Sequence, residues 1–98
     1  MDRKVVWSHE AAGDLEAIAE YIGKDSRYYA AAFVDEVLEA SRSLRHLSER
    51  GRVVPEIGGT VVREIFIKGY RLIYRISGGE VVVLALIHGR RDLKKALE

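Results

Sequence analysis

The segment GYRLIYRI, residues 69–76, places Arg71 and Arg75 four positions apart. On a strand, whose side chains alternate with a period of two, both project from the same face. Two guanidiniums side by side on a sheet suit phosphate oxygens or the carboxylates of an acidic partner. They suit cross-strand pairing equally well, with Glu64 and Glu80 as the acidic candidates. The other residues able to do chemistry lie in the same half of the chain. They are Glu56 behind Pro55, Arg63, and the run His88-Gly89-Arg90-Arg91. Taken alone, Glu56 reads as a solvated loop charge and His88 as a hydrogen-bonding group at a strand end.

Charge is divided along the chain. The net charge is +1, but residues 1–50 carry seven Lys/Arg and ten Asp/Glu, whereas residues 51–98 carry nine and five. A basic second half can attract phosphates or an acidic segment. The near-neutral total speaks against a general nucleic-acid binder. There is no cysteine, which excludes a disulfide framework, a thiol nucleophile and a cysteine zinc site, and fits a reducing cytoplasm. His9, His46 and His88 are dispersed, so no metal is expected. No G-x-x-x-x-G-K, G-x-G-x-x-G or H-E-x-x-H pattern occurs, and no cofactor is expected. The start, MDRKVVWSHEAAGDLE, has no apolar stretch of the kind a secretory signal needs. The longest apolar run, residues 81–87, is too short for a membrane helix, so no membrane is expected.

The elements that position these residues follow from periodicity. Residues 3–7 form a short strand candidate. Ser8 suits a helix N-cap, with Glu10 in the first turn. Ala11, Leu15, Ile18, Ala19 and Ile22 then recur at helical spacing up to Gly23. Asp25 or Ser26 can cap a second helix with the stripe Ala30, Phe33, Val34, Val37, Leu38, Ser41 and Leu44, ending near Leu47. The short gap makes the two helices an antiparallel hairpin. The stretch SERGRVVPEIGGT reads as a loop. Three strands follow at 61–67, 70–76 and 80–87, turned by Lys68-Gly69 and Gly78-Gly79. With 98 residues, one domain spanning 1–98 is expected. Its class is α+β in the order β-α-α-β-β-β, with the hairpin packed on one face of a small, mainly antiparallel sheet. Tyr70, Leu72, Tyr74 and Ile76 belong to the face under the helices. Arg71, Ile73 and Arg75 belong to the other, which is expected to be free for water or a partner.

This order and several local motifs resemble the ParE/RelE superfamily, the toxins of type II toxin–antitoxin modules. The motifs are W-S-x-x-A-x-x-D-L-x-x-I-x-x-Y-I from Trp7 to Ile22, G-R-V-V-P-E from Gly51 to Glu56, R-E-I at Arg63, Y-R-L-I-Y-R-I from Tyr70 to Ile76, and H-G-R-R at His88. They are spread over nearly the whole chain. The resemblance implies a growth-arresting protein of the cytoplasm, held in a hetero-oligomer with a cognate antitoxin. It implies one of two targets, DNA gyrase or the ribosome with its mRNA, or else an inactive interaction module of the same fold.

For ribosome-dependent mRNA cleavage, the resemblance makes Glu56 the base, Arg71 and Arg91 the phosphate clamp and His88 the acid. Arg63, Arg71, Arg75 and Arg90 become groups for phosphate or antitoxin. The sequence also departs from that pattern. The first meander strand, VVREIFI, lacks the lysine pair of some RelE-like nucleases. His88 is followed by Gly89 rather than tyrosine, and Leu97 stands near the place of the C-terminal tyrosine. The long hairpin and its A-x-x-D-L-x-x-I pattern look ParE-like, which sets gyrase inhibition ahead of mRNA cleavage as the expected function.

Overall fold

The computed structural model describes residues 2–90. Arg91 and the residues that follow it lie outside the described residues. The element order is β1 (Lys4–Trp7), α1 (His9–Gly23), α2 (Arg27–Ser43), β2 (Arg52–Val53), β3 (Val62–Ile67), β4 (Tyr70–Ser77) and β5 (Glu80–His88). The strands form one sheet in the order β1-β5-β4-β3-β2. β1 runs parallel to β5 and every other pair is antiparallel. The fold is the α+β arrangement implied by the sequence, with one strand more. β2 falls where the sequence reads as loop. Two residues between Gly51 and Pro55 carry no periodicity of their own, and β3 recruits them as an edge. Among the described residues, no helix is long and apolar enough to cross a membrane.

Both helices begin where a side chain can take up a free N–H. Ser8 Oγ accepts from Ala11 N–H at 3.0 Å, and Ser26 Oγ accepts from Tyr29 N–H at 3.1 Å. α2 stops at Ser43 rather than near Leu47. The hydroxyls of Ser41, Ser43 and Ser48 donate to the carbonyls of Leu38, Ala40 and Leu44, a competition with the helix ladder that favours turn over helix. In the first hairpin Lys68 and Gly69 both take positive φ, 48° and 84°, as a two-residue turn matched to strand twist requires.

The helices bury Ala11, Phe33, Val37 and Leu44 against Leu72, Tyr74, Val81, Val83 and Leu86. These residues do not alternate strictly along β5. The β4–β5 register shifts between Ile73 and Tyr74, which face Ala85 and Val83, so Leu84 is an extra residue. This bulge moves Leu86 and His88 to the helix face and Ala85 and Ile87 to the other.

The motif from Trp7 to Leu15 docks α1 at this irregularity. The β1–β5 ladder ends at Trp7 and Val83. Beyond it Ser8 N–H donates to Val83 C=O at 2.9 Å, Ser8 Oγ donates to Leu84 C=O at 3.3 Å, and Asp14 Oδ2 accepts from Leu86 N–H at 3.0 Å. Asp14, the acidic residue of that motif, completes the outer edge of β5.

On the opposite edge, Gly51 lies against the buried Tyr74. Tyr74 Oη donates to Ser48 C=O at 2.7 Å and accepts from Gly51 N–H at 2.9 Å. A Cβ on Gly51 would stand 2.6 Å from that oxygen and 2.7 Å from Glu64 C=O, closer than packing allows.

Two substitutions test this framework. Gly51→Ala is expected to cost about 2–3 kcal/mol by forced overpacking. Asp14→Ala, which strands the Leu86 N–H, is expected to cost about 1–3 kcal/mol. Urea unfolding would show both as lower midpoints at an unchanged slope.

Candidate functional site

Arg71 stands in the middle of β4 on the face away from the helices, as its spacing requires. It does not meet solvent there, since only 5% of its side chain is exposed. Its Nε donates to Glu64 Oε1 at 2.6 Å, and Nη1 and Nη2 donate to Glu56 Oε2 and Oε1 at 3.0 and 3.1 Å. Glu64, whose side chain is fully buried, also accepts from Arg52 Nε through its second oxygen. The register explains the cluster. Arg52 lies directly opposite Glu64 across β2–β3, and Glu64 lies diagonal to Arg71 across β3–β4, within reach of a long side chain. Of the two pairings open to Arg71 in the sequence, Glu64 forms.

Glu56 arrives from outside the sheet, on residues 54–60. Val54, fully buried with Val62, Ile73, Ala85 and Ile87, anchors that segment in a second small core. Val54 N–H donates to Val62 C=O at 3.1 Å, and Val54 C=O accepts from Gly58 N–H at 3.2 Å. Gly58 and Gly59 then turn the chain at φ 76° and 71°. The face expected to be open is thus covered around Arg71 by the loop and its carboxylate, while Arg75 on the same face stays exposed. Phe66, directly across from Arg71, stays half exposed with the Arg52 guanidinium 5.0 Å above its ring.

The two arginines and two glutamates cancel in charge. The fork-to-fork hydrogen bonds from Arg71 hold the Glu56 carboxyl below the usual glutamate range. Glu56, and after it Glu64, secures the charge of Arg71 by raising its pKa against the opposing effect of burial. Tyr74 is likewise held protonated, because burial pushes its hydroxyl pKa upward. A carboxylate stabilised in this way is a weak base. A phosphate could reach Arg71 only by displacing Glu56.

The other expected site residues are dispersed. Arg63 faces Tyr74 across the ladder, on the opposite side of β3 from Glu64. It donates to the carbonyls of Thr60 at 3.0 Å, Glu49 at 3.3 Å and Gly51 at 3.0 Å, which fastens the loops at this edge. His88 pairs with Tyr70 on the helix face, its ring 5.7 Å from the tyrosine ring. It therefore sits on the opposite side of the sheet from Arg71 and Glu56, and its Nδ1 accepts from Arg90 N–H at 3.3 Å. Arg75 shares the face of Arg71 and is exposed near the far end of β4. The structure brings together Glu56 and Arg71, and separates both from Arg63 and His88. Arg52 was not singled out by any spacing, because only the two-residue strand places it over Glu64.

Removing Arg71 would strand two carboxylates. Arg71→Met is expected to destabilise the protein by about 3–5 kcal/mol. Arg71→Lys is expected not to rescue it, lacking the fork. Glu56→Gln, at a partly exposed end of the cluster, is expected to cost about 1 kcal/mol at pH 7. The folded pKa of Glu56 is depressed, so its contribution is full above the unfolded glutamate pKa and is lost as pH falls through the folded value. Urea midpoints of wild type and Glu56→Gln should therefore converge in acid below the usual glutamate range.

Comparison with known proteins places this geometry in a family. A family model described as the ParE toxin of the type II toxin–antitoxin system parDE matches residues 5–93. A protein named Toxin RelE2 from Caulobacter vibrioides is 31% identical over 88 residues, covering 90% of this chain and 97% of its own. The solved structure of a chromosomal ParDE system from P. aeruginosa superposes with a TM-score of 0.70 at 22% identity, over 88% of this chain and 95% of that one. The toxin–antitoxin complex RelBE2 from Mycobacterium tuberculosis gives 0.61 at 26% identity, over 90% and 99%. The chain belongs to the ParE toxin family of the ParE/RelE superfamily, and is a toxin of a type II toxin–antitoxin module.

Proposed function

We propose that this toxin arrests growth as a ParE-like inhibitor of DNA gyrase, acting as a protein ligand without cleaving RNA. The observation that carries the reading is the closed, neutral cluster of Arg71 with Glu56, Glu64 and Arg52. The two residues with the strongest likeness to a nuclease base and phosphate clamp satisfy one another. The candidate acid, His88, lies on the other face of the sheet. In-line attack of a 2′-hydroxyl on a phosphodiester needs its base, clamp and acid around one phosphorus. The cognate antitoxin is the expected neutralising partner in the cytoplasm, within a hetero-oligomer.

RelE-like mRNA cleavage through Glu56, Arg71, His88 and Arg91 is the competing outcome. Arg71→Ala separates the two poorly, because it dismantles the cluster. His88 is exposed and makes no ion pair among the described residues, so His88→Ala is the cleaner probe. Under the proposed reading, purified toxin inhibits gyrase supercoiling. Its induction gives filaments and a DNA-damage response with intact mRNA, and His88→Ala is as toxic as wild type. Removal of residues 90–98 is expected to abolish toxicity. Rapid cleavage of translated mRNA, lost on His88→Ala, would replace this reading with the nuclease. No growth arrest at all would leave an interaction module.

A further inference from the structure

The turn from β3 to β4 holds the one non-glycine residue at positive φ among the described residues, Lys68 at 48°. The other left-handed positions, 58, 59, 69 and 78, are all glycine. In the left-handed region a side chain crowds its own backbone, so glycine or asparagine is preferred at the first place of a two-residue turn. A lysine there costs stability, and such strain persists only where packing or function holds it in place. Packing does little here. Lys68 Nζ stands 3.6 Å from Glu36 Oε2, but the two side chains are 58% and 51% exposed. An ion pair so open to water adds little to the fold.

The surroundings of Lys68 form a continuous rim at this end of the sheet. Gly89 N–H donates to Gly69 C=O at 2.8 Å, which joins the turn to the end of β5. A Cβ on Gly89 would stand 3.0 Å from that carbonyl oxygen and 3.7 Å from the Phe66 ring, whereas one on Gly69 would meet nothing within 4 Å. Bare main chain therefore lies between Lys68 and Arg90, both of them exposed. His88, also exposed, stacks edge-on against Tyr70, and Tyr70 against Phe33 at 5.3 Å. Half-exposed Phe66 completes the rim from the opposite face. Cations, aromatic edges and accessible main chain together suit a protein surface that carries carboxylates. A phosphate backbone fits less well, because its binding is summed over several cations. The nearby Arg52 and Arg71 are already neutralised by Glu64 and Glu56.

We propose that Lys68 is a target-contacting residue, and that this rim docks an acidic segment of the inhibited gyrase. A carboxylate of the target takes the ammonium group over from Glu36, and the strained turn holds Lys68 at the tip of the sheet for that exchange. The proposal rests on the gyrase reading and adds to it a named contact and the charge of the surface that it meets.

Thermal unfolding and inhibition of gyrase supercoiling over a range of salt concentrations, measured on three variants of the full chain, test it. Lys68→Asn relaxes the turn, so its thermal midpoint is expected to rise by about 4 °C. Its inhibition of gyrase is expected to weaken at least tenfold and to lose much of its salt dependence. Lys68→Arg keeps the charge and is expected to inhibit as wild type does. Glu36→Gln removes the competing carboxylate, and is expected to leave the midpoint unchanged and to strengthen inhibition about twofold. A purely structural lysine gives the opposite pattern: Lys68→Asn and Glu36→Gln both lower the midpoint, and inhibition follows the folded fraction. That pattern would overturn the proposal, as would a stabilised Lys68→Asn that inhibits like wild type. Weakened binding of Lys68→Asn to DNA alone, with unchanged binding to gyrase, would replace the acidic protein segment by nucleic acid. Wild-type toxin that leaves supercoiling untouched would overturn the gyrase reading itself, and this contact with it.

Discussion

A glutamate with no exposed side-chain surface, Glu64 on β3, is the constraint on which one face of this protein depends. A carboxylate in such a place is costly unless other groups replace its hydration. Arg71 and Arg52 do so from two sides. Arg52 can do so only if residues 52 and 53 lie alongside β3, and that approach needs Gly51, which has room for no side chain. Arg71, once buried, requires the rest of its fork to be met, and Glu56 meets it from the covering loop. The second small core, with Val54 at its centre, holds that loop down. The G-R-V-V-P-E stretch thus works as one piece: a close approach, a countercharge, an anchor and a second countercharge.

The opposite edge of the meander depends on a single extra residue. Leu84 breaks the β5 ladder at the point where β1 ends, and leaves main-chain groups that Ser8 and Asp14 take up. Ser8 therefore both starts α1 and seats it, and Asp14 seats it further along. The bulge also decides which side chains meet. With strict alternation from Val81, His88 would fall on the face of Arg71. With Leu84 inserted it falls beside Tyr70.

Charge is used in two ways on this molecule. On the face away from the helices, two arginines and two glutamates neutralise each other, and Arg71 and Glu64 among them are buried. At the end of the sheet, Lys68 and Arg90 stay exposed on either side of bare main chain. The first arrangement holds the fold together. The second has charge left for a partner. A chain with a net charge of only +1 can therefore still present a locally basic surface, because most of its acidic residues lie elsewhere or are already paired.

Much of this was legible in the chain itself. Helical and strand periods located six of the seven elements, Ser8 marked the start of the first helix and Asp25 or Ser26 that of the second, and Lys68-Gly69 and Gly78-Gly79 marked the hairpins. Those signals are local, arising from backbone sterics, caps and side-chain alternation, so they survive without a fold around them. The placement of Arg71, Ile73 and Arg75 on the face away from the helices followed from the same alternation. Tertiary structure alone decided that this face is closed around Arg71, that Arg52 and Glu56 converge on Glu64 and Arg71, 12 and 15 residues further along the chain, and that His88 lies on the other side. A two-residue strand and a one-residue bulge carry almost no local preference of their own. They exist because a neighbouring strand supplies the hydrogen bonds and a buried glutamate demands its countercharges.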